Sequence, residues 1–383
     1  MNDRLNIVIL GLSVTSSWGN GHATTYRGLI RGLAARGHNL LFLERDQPWY
    51  AGNRDDPHPS GAVTELYYSF DELTAHFERC VQDADLVIVG SYVPEGSRVG
   101  DWVLSVARGR TAFYDIDTPI TLGKLARGEE EYLAASQISE YDCYLSFTGG
   151  PTLKLLESKY GSPMARPLYC SVDPERYSQV RCAMRWDLGY LGTYSEDRQP
   201  TLNELMLKPA RAWEAGRFIV AGPMYPEAIS WPENVNRVIH LSPSEHPSFY
   251  GSQRFTLNVT RDAMKAAGHS PSVRLFEAGA CGVPIISDWW NGLDSLFAIG
   301  QEVFVAEGPE DALRFLRDTT DAQRLQVAEA ARARVLGEHT SRQRALQLES
   351  YVREMNDNLS SCTARRDRRR RKDDSRAAIG LAS

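Results

Sequence analysis

Short, densely apolar runs alternate along the chain with longer segments whose apolar residues recur three or four positions apart. LNIVILGLS opens as a strand, SSWGNGHATT is a loop, TYRGLIRGLAARG has helical spacing, and NLLFLERD reads as the next strand. Leu29, Ile30 and Leu33 form the apolar stripe of that helix, and Gly37 falls at its end. This is a β-α-β unit. Further apolar runs at 85–92, 111–117 and 141–147 are separated by helical patterns such as SFDELTAHFERCVQ, so a parallel sheet covered on both faces is expected.

A stretch without a clear element, 161–186, interrupts the series with two prolines and the turn Val172-Asp173-Pro174. A second series follows, with strands expected at 185–192, 216–222, 236–242, 255–260, 283–288 and 302–306. The pattern predicts an α/β protein made of two Rossmann-like, doubly wound domains facing a central cleft. Its expected divisions are 1–165, a linker 166–186, a second domain 187–335, a C-terminal helix 336–357 and a basic tail 358–383.

Composition narrows the class. At 383 residues, 42% hydrophobic and 24% charged, the chain suits two packed domains. No run of about eighteen apolar residues occurs, and the start lacks the pattern of a signal peptide, so a cytoplasmic location is expected. Cys80, Cys143, Cys170, Cys182, Cys281 and Cys362 are widely spaced and suggest neither a zinc site nor a disulfide framework. Residues 364–376 hold eight Arg or Lys against three Asp, a net +5 within a chain of net charge -6, which leaves the body at -11. The run reads as a solvated tail with at most weak attraction to a membrane surface, and the acidic body argues against a specific nucleic-acid partner.

In an open parallel sheet, ligands lie beyond the carboxyl ends of the strands, so the chemistry is sought in those loops. The first holds Gly19, Gly21 and His22. Its glycines permit close approach to a ligand, and the imidazole suits a base, a hydrogen-bond donor or a structural cap. Glu44 could serve as the ribose carboxylate of a dinucleotide fingerprint, but the long loop spoils the spacing, which disfavours a nicotinamide-dependent oxidoreductase. The second loop carries Asp115 and Asp117. Strand alternation puts both carboxylates on one side, as in a metal-binding D-x-D pair, but Asp117 is assigned to acceptor binding or helix capping and no metal is expected. The third holds Gly192 and Thr193, whose amides suit a diphosphate, and Arg198, which either grips phosphate or occupies an exposed turn. The fourth begins at Arg261.

The most specific stretch runs Ser270-Pro271-Ser272-Val273-Arg274-Leu275-Phe276-Glu277-Ala278-Gly279-Ala280-Cys281-Gly282-Val283-Pro284-Ile285-Ile286. Ser270 or Ser272 would cap a helix whose open end faces an anion, while Gly282 and Pro284 turn the chain back into a strand. The segment resembles the donor-sugar motif of group 1 glycosyltransferases of the GT-B fold, most of all the CgeB-like (spore maturation protein) branch. The likeness extends to GNGHATTYRGLIRGLAARGH, DIDTP, YLGTYSEDR and GLDSLFAIGQEVFVA. It implies Glu277 as the carboxylate for the nucleotide ribose, and Arg198, Arg261, Ser272 and Arg274 beside the diphosphate. His22 would lie near the loop that meets donor sugar and acceptor. His269 stands where many relatives carry a glutamate near the donor sugar, and the usual phosphate lysine is absent unless Lys208 reaches inward.

The resemblance implies transfer of a sugar, a hexose above all, from a UDP- or GDP-type nucleotide sugar to an unidentified glycan, small molecule or protein. The nucleotide sugar is a co-substrate, and no further cofactor is expected. Arg198, Arg261 and the 272–282 helix would stabilise the departing diphosphate, and His22 or Asp117 would take the acceptor proton in an inverting reaction. A non-catalytic sugar or nucleotide binder and a GT-B-like sugar-nucleotide epimerase are the competing readings.

Overall fold

The computed structural model describes residues 4–358. The basic run and Cys362 lie outside the described residues. Two parallel sheets organise the rest. The first contains β1 (Asn6–Gly11), β2 (Asn39–Arg45), β3 (Val63–Tyr67), β4 (Leu86–Gly90), β5 (Arg110–Asp115), β6 (Cys143–Ser146) and β7 (Ala165–Pro167), in the order β3-β2-β1-β4-β5-β6-β7. The second contains β8 (Trp186–Leu191), β9 (Phe218–Ala221), β10 (Val235–Val238), β11 (Gln253–Asn258), β12 (Ile285–Ser287) and β13 (Phe304–Val305), in the order β10-β9-β8-β11-β12-β13. Both orders reverse direction beside their first strand, between β1 and β4 and between β8 and β11.

The central strands are apolar throughout because helices cover both faces. Ile7, Ile9, Leu86 and Ile88 face one core of the first sheet, and Val8, Leu10, Val87 and Val89 face the other. Two strands escaped the sequence pattern. β3 is partly exposed along its length, and β7 is a three-residue edge strand ending in proline. The expected strand at 236–242 is shorter and earlier, because only Val235–Val238 pairs with β9.

The C-terminal helical run divides into Pro309–Asp318, Asp321–Glu338 and 341–358. At the last break Val172 donates its amide to the His339 carbonyl at 3.1 Å, and Ser341 returns one to Val172 at 2.9 Å. The buried Arg344 guanidinium then donates to the carbonyls of Tyr169, Cys170 and Glu338. These bonds turn helix 341–358 back onto the first sheet, where Ala345, Leu348, Val352 and Met355 join the β1 core. Gly32 is required at the crossing, since a Cβ there would stand 2.6 Å from the Ser341 carbonyl oxygen. Leu348→Ala should therefore cost about 2–5 kcal/mol, read as a lower denaturation midpoint.

Candidate functional site

The carboxyl ends of the two sheets face one another, and two adjoining cavities of about 340 and 210 Å3 fill the space between them. Gly19, Gly21 and Val273 belong to both. The larger cavity is lined by His22 and Asp117 from the first half, and by Arg198, Thr260, Arg261 and Ser272 from the second. The smaller one reaches Gly192, Thr193, Arg274 and Glu277. Eleven of the twelve sequence candidates thus meet in one crevice; His269 is the exception.

The helix Val273–Ala280 forms because Ser272 has an extended backbone and its hydroxyl accepts from the Arg274 amide. The amides of Ser272 and Val273 remain without a partner among the described residues, at the positive end of the helix dipole. Glu277, on the second turn, is buried and accepts from the Tyr250 hydroxyl at 3.3 Å.

Arg261 joins the two halves. Its Nε lies 3.3 Å from Asp197, and its Nη1 lies 3.9 Å from Asp117 across the cleft. Burial raises the pKa of Asp197, but hydrogen bonds from Ser195 and Arg261 outweigh it and leave the carboxyl below its ordinary value. Arg198 donates Nη2 to the Thr193 carbonyl at 2.8 Å, while its buried Nε has no partner among the described residues. Arg198 is among the residues that line the larger cavity.

His22 begins the helix His22–Ala34, its amide bonded to the Asn20 side chain. Burial lowers the imidazole pKa, against the opposing charge of Asp117, so the ring is neutral near pH 7. Nδ1 is buried without a partner among the described residues, and the ring packs on Tyr92 at 5.4 Å. Tyr92 escaped the sequence reading. It follows β4 with φ of 65°, and its hydroxyl donates to Asp117 at 2.9 Å. Its place just past a strand at the reversal point is the signal that marks it.

Several expectations need correction. The Gly192 amide donates to Ala221 at 2.9 Å, so it has no N–H to offer an anion; the Thr193 amide is left for that role. Arg274 turns inward, bonding the Leu191 carbonyl and the Asn258 side chain under the Tyr190 ring, and so braces the β8–β11 crevice from within. His269 is pressed between Gly150 and Gly292, where added Cβ atoms would stand 2.3 and 2.4 Å from its ring. Its carbonyl accepts from Gly149 at 2.9 Å, which makes it part of the joint between the halves. Lys208 pairs with Glu204 on the surface. Asp115 and Asp117 do not present a matched pair: Asp115 is fully buried and accepts from Tyr144, Thr121 and the Asp117 amide. Glu44 is occupied by Ser13, Val14 and Thr15, holding the first loop, and is closed to a ribose.

The larger size of a third cavity, about 500 Å3 between Pro309–Asp318 and Asp321–Glu338, does not make it the site. It lies away from both reversal points and from every group above.

Comparison with solved structures decides the architecture. Sucrose-phosphate synthase from Thermosynechococcus elongatus superposes with a TM-score of 0.63 at 14% identity, covering 92% of this chain and 99% of that one. Anabaena HepE in complex with UDP and glucose gives 0.66 at 12%, covering 92% and 100%. The fold is GT-B. An alpha-glucosyltransferase in complex with UDP-glucose and DNA containing an abasic site also gives 0.66 at 12%, covering 90% and 98%. Residues 198–350 match the family model described as glycosyl transferase-like, which spans most of the second GT-B half and the start of the returning helix. No curated protein matches the sequence. Among the described residues no helix is long and apolar enough to cross a membrane.

Asp115 supplies a pH test of the buried network under the cleft. Burial pushes its pKa up to about 6 from an ordinary 3.8, despite the hydrogen bonds from Tyr144 and the Asp117 amide. The folded state therefore holds an extra proton between about pH 4 and pH 6 and loses stability as pH rises through that window. Asp115→Asn should flatten this part of the stability profile; an unchanged slope would show that the carboxyl is ionised throughout.

Proposed function

We propose that the chain is a nucleotide-sugar-dependent glycosyltransferase of the group 1 type, within its CgeB-like branch. The observation that carries the reading is the meeting of Arg198, Arg261 and the open amides of Ser272 and Val273 in one crevice between the two reversal points. Fixed positive groups of this kind suit the charge that develops on a departing diphosphate. The match of 198–350 to a glycosyl transferase-like model, and the UDP or UDP-glucose named with HepE and the alpha-glucosyltransferase, favour the same donor class.

In this reading the second half binds a UDP- or GDP-type sugar, and Glu277 accepts from the nucleotide ribose. Thr193, Arg198, Arg261 and the Val273 end of the helix hold the diphosphate without a metal or other cofactor. The first half holds the acceptor, and neutral His22, steadied by Tyr92 and Asp117, takes its proton if the reaction inverts. The location proposed is cytoplasmic. The interdomain contact at Thr148–Ser270 would tighten around the bound donor and exclude water.

A panel of nucleotide sugars assayed by thermal shift should give stabilisation with a restricted set of donors, by mass action. No response to any donor would sink the reading. Arg261→Ala and Glu277→Ala should each weaken donor affinity at least about tenfold, with EDTA without effect. If the reaction inverts, His22→Gln should lower kcat by about a hundredfold or more while leaving donor affinity within about twofold. An equal loss in both quantities would assign His22 to donor binding.

A further inference from the structure

The loops that follow β1, β2 and β3 each present one exposed aromatic ring. Trp18 is 50% exposed, Trp49 52% and Tyr68 67%, in a chain whose other tyrosines and tryptophans are mostly buried or partly buried. These strands are immediate neighbours, in the order β3-β2-β1, and their final residues are in register: Gly11 beside Glu44, and Arg45 beside Tyr67. At about 4.8 Å between strands, the three carboxyl ends span about 10 Å along the rim of the first half. Trp18 sits between Ser17 and Gly19, both of which line the cleft. The row therefore starts at the site and leads away from it.

The loops beneath the rings are fixed. Glu44 holds residues 13–15, Ser16 bonds the Asn53 carbonyl, Asp55 accepts from the Ser17 amide and from Arg27, and Asp46 bonds the Tyr67 carbonyl through its amide. Exposed rings on a rigid base carry a cost in water that a ligand face would offset. The ligand must offer flat apolar C–H faces at intervals along its length together with hydroxyls for the intervening polar groups, which is the chemistry of a chain of pyranoses. Charge points the same way. Asp46, Asp55 and Asp56 of the three loops are paired with Arg54, Arg27 and Arg176, so the rim carries no excess of positive charge. Nothing there attracts a polyanion or an anionic lipid surface.

Resting on the glycosyltransferase reading, we propose that the acceptor is an extended oligosaccharide, whose chain beyond the reacting unit lies along Trp18, Trp49 and Tyr68. Successive units then add contacts without further loss of translational freedom, so affinity grows with length.

The test uses the full chain and four probe series, each as mono-, tri- and hexasaccharide: α-1,4-glucose, β-1,4-glucose, β-1,4-N-acetylglucosamine and β-1,4-xylose. Binding is followed by tryptophan fluorescence and calorimetry. In at least one series the hexasaccharide should bind at least tenfold more tightly than the monosaccharide. Trp49→Ala and Tyr68→Ala should remove that gain and leave monosaccharide affinity and the melting temperature unchanged. The idea is overturned if no series binds, if affinity does not grow with length, or if both variants bind the hexasaccharide as the parent does. It is equally overturned if the two variants instead lose binding to neutral phosphatidylcholine vesicles, which would make the rings a membrane contact. The nucleotide-sugar thermal response, read on the same variants, is independent: its absence would sink the donor reading without touching the oligosaccharide result.

Discussion

When every strand of a sheet runs the same way, the chain must return over one face or the other after each strand. Where the strand order reverses, the two returning connections part and leave a crevice at the carboxyl edge. This protein contains that reversal twice, beside β1 and beside β8. Turning the two carboxyl edges toward each other places the crevices mouth to mouth, and many of the polar groups of interest stand in the connections that leave four strand ends. Gly19, Gly21 and His22 follow β1, and Tyr92 follows β4. Thr193 and Arg198 follow β8, and Thr260 and Arg261 follow β11.

Facing edges need a fixed joint, and its chemistry is unusual for a linker. Arg344, from the returning helix, fills the carbonyls of Tyr169, Cys170 and Glu338, while His339 stacks on Phe276 at 4.5 Å. Burial, with the charge of Arg344 beside it, pushes the His339 pKa down to about 3, so the ring packs as a neutral aromatic. A second joint crosses nearer the cleft, where Thr148 bonds Ser270 and Gly149 bonds the His269 carbonyl. The Ser270–Ser272 loop is thus braced from the opposite half just before it presents its free amides.

What the sequence reveals is what depends on neighbours along the chain. Apolar runs between helical patterns expose both sheets, and the Ser272 cap follows from residue type and position. The helix-bearing segment 270–286 is legible for the same reason. What it conceals depends on partners distant in sequence. Nothing near Gly192 says that its amide is taken by Ala221, and nothing near Arg274 says that its guanidinium turns toward Leu191 and Asn258. His269 is eight positions before Glu277, yet its ring is claimed by Gly150, more than a hundred residues earlier. Short strands fail for a related reason: β7 has too few residues to show a period, and pairing with β6 alone makes it a strand.

The cationic wall of the cleft follows a division of labour that residue type alone does not disclose. Of three arginines at the second crevice, Arg274 is satisfied internally and fixes the shape, whereas, among the described residues, Arg198 Nε has no partner and Arg261 is held by carboxylates at 3.3 and 3.9 Å. Asp197 belongs to the same half as Arg261, and Asp117 to the other. An anion entering between them competes with both carboxylates for one guanidinium, so its binding must alter the contact that spans the halves. Asp117 is also the acceptor for Tyr92, whose ring packs on His22. An anion at that guanidinium and the environment of the imidazole are therefore linked through a single carboxylate.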